Sequence, residues 1–207
     1  MQLVLATNNK DKIREIKHLL DDLPVTVLTS EDFLEFLDPQ ETGATLEENA
    51  ILKARAISEF CDMPALADDS GLEVDALGGA PGVFSSRYAG PDVTYRDNNE
   101  KLLRDLRGVP PEKRTARFRC VIAIAWDKDN VETVEGVAKG YIADDIVGDK
   151  GFGYDPLFFY PPKGKRFSEM TLEEKSLVSH RGLALQEART LIIELLNRKI
   201  REREGQS

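Results

Sequence analysis

Leu3-Val4-Leu5-Ala6 is a short unbroken apolar run, the pattern of a buried strand. Thr7, Asn8 and Asn9 follow with turn and cap chemistry. Over 11–20 the apolar residues Ile13, Ile16, Leu19 and Leu20 recur at helical spacing. A second helix starts at the capping-box sequence Thr45-Leu46-Glu47-Glu48 and runs to about Cys61, with Pro64 ending that region. A short strand and a turn are expected next, and residues 95–106 form a third helix closed by Gly108, Pro110 and Pro111. From Arg117 the pattern changes to alternation, with Phe118, Cys120, Ile122, Ile124 and Trp126 on one face. Residues 131–142 answer it across Asp127-Lys128-Asp129-Asn130, which predicts a long antiparallel hairpin. Residues 148–165 read as a Gly- and Pro-rich loop interrupted by a short strand at 157–159. A last helix spans about 181–200 with Leu185, Ala188, Ile192, Leu195 and Leu196 as its stripe, and 201–207 is expected to be a flexible, solvated tail.

Early strand–helix alternation together with a hairpin predicts an α/β fold on a mixed sheet. No internal repeat and no long linker divides the 207 residues, so one domain is expected, with enough chain for a substantial core.

Composition narrows the chemistry. No apolar run approaches the ~18 residues of a membrane span, and the N-terminus lacks the basic lead-in of a secretion signal. A net charge of −9 argues against general nucleic-acid binding, while leaving room for a local basic pocket for a small anion. Cys61 and Cys120 form no C-x-x-C pair and read as buried thiols, which suits a cytoplasmic protein. With His18 and His180 the only histidines, a metal here would be a hard cation on oxygen ligands.

Four stretches could carry chemistry. Asp68 and Asp69 sit side by side in "LADDSG"; adjacent carboxylates repel, so the pair is either a polar turn or a place for a cation. Thr7 to Lys12, with Asn8, Asn9, Lys10 and Asp11 between, joins a strand to a helix start and is either a phosphate cradle or a plain capped helix. Phe152, Gly153, Tyr154 and Asp155 place two aromatics and an acid where a flat base could stack, or where a turn folds onto the core. Lys175, His180 and Arg181 crowd donors at the start of the final helix, which Ser179 could cap. Glu41 alone is a weak signal. Together these parts suit binding and hydrolysis of a nucleoside triphosphate, which needs positioning and charge neutralisation above all.

The stretches "LATNNKDKIREI", "ETGATLEENAILKA", "LADDSGLEVDALGGAPGVFSSRYAG", "GFGYDPLFF" and "EKSLVSHRGLAL" resemble the inosine triphosphate pyrophosphatases, the Ham1-like and RdgB-like group, in that family's order. The resemblance implies an elongated central mixed sheet flanked by helices, two lobes with the active-site cleft between them, and a homodimer. It implies cleavage of ITP, dITP and XTP to the monophosphate and pyrophosphate with Mg²⁺. Carried over, Thr7 to Lys12 would hold the triphosphate, and Asp69 would be catalytic base and metal ligand. Glu41 would assist the metal, Asp68 would support, and Ser70 would touch substrate. Phe152 would stack on the base within the loop of Gly153, Tyr154 and Asp155, and Lys175, His180 and Arg181 would meet the base. Two other readings remain, a nucleotide-binding module without catalysis and a Maf-type pyrophosphatase for modified pyrimidine nucleotides.

Overall fold

The computed structural model describes residues 1–37, 39–127, 129–148 and 150–204, with side chains described through Asn197. Seven strands, β1 (Gln2–Leu5), β2 (Thr26–Leu28), β3 (Ala65–Val74), β4 (Thr115–Ala125), β5 (Val131–Ile142), β6 (Phe158–Tyr160) and β7 (Lys165–Arg166), form one sheet. Their order is β2-β1-β3-β4-β5-β6-β7. β1 runs parallel to β2 and β3, and every later pairing is antiparallel, so the sheet is mixed as expected. The predicted hairpin is the β4–β5 pair, registered from Thr115↔Tyr141 to Ala125↔Val131. Lys128 of its turn lies outside the described residues.

The helices are α1 (Lys10–Leu20), α2 (Leu46–Cys61), α3 (Tyr95–Asp105), α4 (Leu172–Ser176) and α5 (His180–Glu204). Their caps are those the sequence supplies. The Asn9 side chain accepts from the N–H groups of Asp11 and Lys12, Thr45 from Glu48, and Ser179 from Gly182. α5 continues through residues 201–204, where the sequence predicts a solvated tail, because Arg and Glu are good helix formers; residues 205–207 lie outside the described residues.

β4 is buried on both faces over its second half, a stronger burial than alternation alone predicts. Cys120, Ile122 and Ile124 pack with Ile16 and Leu20 of α1 and with Leu185, Ala188 and Ile192 of α5. Val121, Ala123 and Ala125 pack with Leu46, Ala50, Ala54 and Ile57 of α2. A third cluster, with Phe118, Phe158, Phe167 and Leu102 and Leu106 at the end of α3, fills the opposite end of the sheet.

Two features place the site. β1 pairs with β3 only at Ala65 and Leu66, so β3 runs on past the end of its parallel neighbour. A crevice at the carboxyl end of a parallel strand is where open α/β sheets bind ligands. Opposite it, Gly136 of β5 lets the start of α5 lie directly on the sheet, since a Cβ there would come within 2.1 Å of the His180 carbonyl oxygen. No helix among the described residues is long and apolar enough to cross a membrane.

Candidate active site

The crevice is an open cleft that α1, β3, α3, the 151–155 loop and the start of α5 all help to line, the concave kind of place where small ligands bind. Asp69 lines it and Asp68 is turned away from it, so the pair does not share one cation at a turn. Asp68 and Asp69 lie mid-strand in β3, and the two-residue period sends them to opposite faces. Each therefore has its own lysine.

Asp68 is fully buried towards α1 and α5. Its Oδ2 accepts from Lys12 Nζ, from Arg181 Nε and Nη2, and from Ser70 Oγ, each at 3.1 Å. Burial pushes this carboxyl up, but the charges of Lys12, Arg181 and Lys53 outweigh it and hold the group well below the usual range. Its Oδ1 is buried without a partner.

Asp69 faces α2 and lines the cleft. Lys53 Nζ donates to Oδ1 at 2.9 Å, and Asn49 Nδ2 to Oδ2 at 3.4 Å. Here burial wins: with Glu41 adding to it and Lys53 opposing, the carboxyl is raised above its ordinary value. Lys53 also donates to Glu41 Oε1 at 3.0 Å and to the Asp68 carbonyl at 2.9 Å, an edge oxygen that β1 leaves free. Arg87 Nη1 reaches Glu41 Oε2 at 3.2 Å. Burial would raise Glu41, and Lys53 brings it below the ordinary value.

A second run of alternating charge supports the other end. Lys175 Nζ donates to Asp155 Oδ2 at 2.6 Å and to Glu15 Oε1 at 2.9 Å, and Arg181 pairs Glu15 with Asp68. Over these cations lies Phe152, its ring centroid 4.8 Å from Lys175 Nζ and 5.3 Å from the Arg181 guanidinium carbon. Tyr95 closes its flank at 5.9 Å. His180 stacks on Phe118 at 4.5 Å; burial, with Arg181 and Lys175 nearby, holds its pKa far down, so the ring is neutral.

Of the expected residues, Asn9, Lys12, Glu41, Asp69, Ser70, Phe152, Gly153, Tyr154, Asp155, Lys175, His180 and Arg181 line one cleft. Thr7, Asn8, Lys10, Asp11 and Asp68 do not. Thr7 Oγ1 accepts from Asn9 N–H, Asn8 and Lys10 are exposed, and Asp11 pairs with Arg14 at 3.1 Å. The helix start thus offers an ammonium and an amide, because Asn9 already occupies the N–H groups of Asp11 and Lys12. Tyr154 is 3% exposed and donates its hydroxyl to the Ser85 carbonyl, so its part is to fasten the loop. The sequence reading passed over Lys53, Asn49 and Glu15. The signal lay in periodicity: Leu46, Asn49, Ala50, Lys53, Ala54 and Ile57 share the buried face of α2, two polar residues on an apolar stripe.

A hard divalent cation fits these donors. Asp69 and Glu41 face each other across one ammonium, and an ion such as Mg²⁺ takes one or two carboxylates and fills its shell with water and phosphate oxygens. Among the described residues no group of three His, Cys, Asp or Glu side chains converges on a metal position, so an ion here would lean on its substrate.

Comparison with known proteins follows the same outline. A dITP/XTP pyrophosphatase of Desulforamulus reducens is 50% identical over 198 residues, 96% of this chain and 96% of that one. Another, of Geobacter sulfurreducens, is 52% identical over 184 residues, 89% of this chain and 92% of its own. Among solved structures, a HAM1 protein from Coxiella burnetii superposes with a TM-score of 0.85 at 41% identity, covering 94% of this chain and 99% of the other. The Ham1 family model matches residues 3–191, a span that takes in all of the sheet after Gln2 and every residue of the cleft, and the chain belongs to the Ham1 family.

Proposed function

We propose that the chain hydrolyses the non-canonical purine nucleoside triphosphates dITP, ITP and XTP to the monophosphate and pyrophosphate, so removing deaminated purines from the nucleotide pool. The observation that carries this reading is Asp69: a cleft carboxylate with raised proton affinity, set between the Lys12 end and the aromatic end at Phe152. Lys12 and Asn9 suit the phosphates, with Ser70 beside them, while Lys53 holds Asp69 and Glu41 in place. Asp69 accepts a proton from the attacking water; the water oxygen bonds to the α-phosphorus as the bond to the bridging oxygen breaks, and pyrophosphate leaves with that electron pair. A bound Mg²⁺, held by Asp69 and Glu41, would supply further neutralisation of phosphate charge.

Phe152 provides the stacking face. Lys175 gives two of its three donors to Glu15 and Asp155 and keeps one for a 6-oxo group. Adenine offers an amino group there and leaves that donor unanswered, a mismatch that hydrogen-bonded sites reject strongly. Arg181 spends its donors on Asp68, Glu15 and Ser70, so orienting the site suits it better than touching the base. We read the chain as a single pyrophosphatase domain with two lobes around the cleft, working in the cytoplasm as a homodimer.

The test is product identity. With ITP and Mg²⁺, ³¹P NMR should show IMP and pyrophosphate, with ATP turned over far less. IDP and orthophosphate would move the attack to another phosphorus. ITP bound but unchanged would make the chain a nucleotide-binding module, and faster turnover of modified UTP would favour the Maf-type reading. Phe152→Ala should raise KM for every purine nucleotide by about tenfold, the loss of one base–aromatic stack, without restoring ATP use. An unchanged KM would return Phe152 to a packing role.

A further inference from the structure

We propose that Asn99 of α3 is a positioning residue for base recognition, holding the Phe152 loop in register through the Gly153 carbonyl. Asn99 is 3% exposed, and its Nδ2 donates both to Gly153 O at 2.8 Å and to Tyr95 O, one turn back in α3, at 2.9 Å. One amide thus straps the loop to the first turn of the helix. That turn also carries Tyr95, whose ring flanks Phe152 and whose hydroxyl accepts from Asn9 at 3.3 Å.

The loop needs such a strap. Gly148, Gly151 and Gly153 have φ of 86°, 74° and 60°, a backbone path that few other residues adopt. Open space lies on both sides of it: the cleft on one, and on the other a groove lined by Tyr95, Asn99, Lys150, Gly151 and Pro156. Asp155 Oδ2 ties down the Phe152 N–H at 2.8 Å, and Asn99 supplies the tie from α3. The Asn99 Oδ1 is buried with no partner, an unfavourable state that a residue serving packing alone has no reason to keep. Its neighbour Asn98 uses both ends of its amide, on Ser86 O and Ala89 N–H, to hold the opposite wall.

The inference rests on the reading of Phe152 as the base-stacking residue. If Asn99 acts through Phe152, its loss weakens base binding and leaves the phosphate end alone. The experiment makes Asn99→Ala and Asn99→Ser, each alone and combined with Phe152→Ala. It measures KM and kcat for ITP, inhibition by pyrophosphate, and amide hydrogen exchange of the peptide over 148–157.

In the parent background KM should rise by about tenfold, the scale of one lost base stack, with kcat changed less than about threefold. In the Phe152→Ala background the same change should cost less than about twofold, since contacting groups are not additive. Pyrophosphate inhibition should be unchanged, and the loop should exchange faster while β4 does not. An equal KM penalty in both backgrounds, or unchanged exchange in the loop, would overturn the proposal. Wild-type protein that leaves ITP intact would sink the pyrophosphatase reading alone, and hydrogen exchange would still decide whether Asn99 holds the loop.

Discussion

Asp69→Asn should lower kcat for ITP by about 10³–10⁴-fold, the upper part of what a positioned general base contributes. Asparagine is nearly isosteric but accepts no proton at neutral pH and is a poor ligand for a hard cation. The fold should survive. Lys53 keeps Glu41 and the Asp68 carbonyl, and the desolvated charge that raises the Asp69 pKa is gone. A raised carboxyl in the folded state favours folding at low pH and opposes it as pH rises through the folded value. Removing it should therefore leave Tm at pH 7 unchanged or slightly higher. The wild-type kcat should fall as pH drops through that raised value, because protonated Asp69 cannot take the proton from water. Near-normal turnover by the variant would remove Asp69 from the base role.

Much of this site was legible before any coordinates. The five motif stretches contain every side chain that lines the cleft, apart from Tyr95 and Asn98 on α3 and Phe118 on β4. What escaped was of two kinds. Short elements such as β2 and α4 are fixed by tertiary pairing, although Thr171 and Glu174 do spell a capping box for α4. Buried charges also escaped, because a Lys or Glu on a helix is ordinarily solvated. Glu15 precedes Ile16 on the inner face of α1, and Lys53 sits between Ala50 and Ala54, yet each binds two other charged residues. The adjacency of Asp68 and Asp69 suggested one shared cation. Seeing that β3 continues to Val74 turns the same two letters into opposite faces, and the repulsion has two separate remedies.

That division puts the proposed base and the buried Arg181 ion pairs on different faces of β3, and Arg181 tests the second face. Its guanidinium is 2% exposed and binds two buried carboxylates, Asp68 and Glu15. Arg181→Met keeps a long apolar stem but leaves both acids short of a cation. Breaking a buried pair in this way costs about 3–5 kcal/mol, a large share of the 5–15 kcal/mol typical of a folded domain. In the parent protein burial pushes both acids up and the surrounding cations pull them below their ordinary values. Their ionisation therefore contributes stability above about pH 4, where unfolded carboxylates are charged, and that contribution is lost as pH falls through the depressed folded values. Without the guanidinium both carboxyls move up, so the deficit should be largest near pH 7 and shrink below about pH 4. Arg181→Met with Asp68→Asn removes one of the two acids that have lost a cation and should regain part of the loss at pH 7, since groups in one network couple strongly. Urea unfolding of the parent, the single variants and the double variant at both pH values measures this directly. A deficit independent of pH, with no recovery in the double variant, would mean that Arg181 stabilises the fold through packing against Phe152 and the sheet, and that the charge run is incidental.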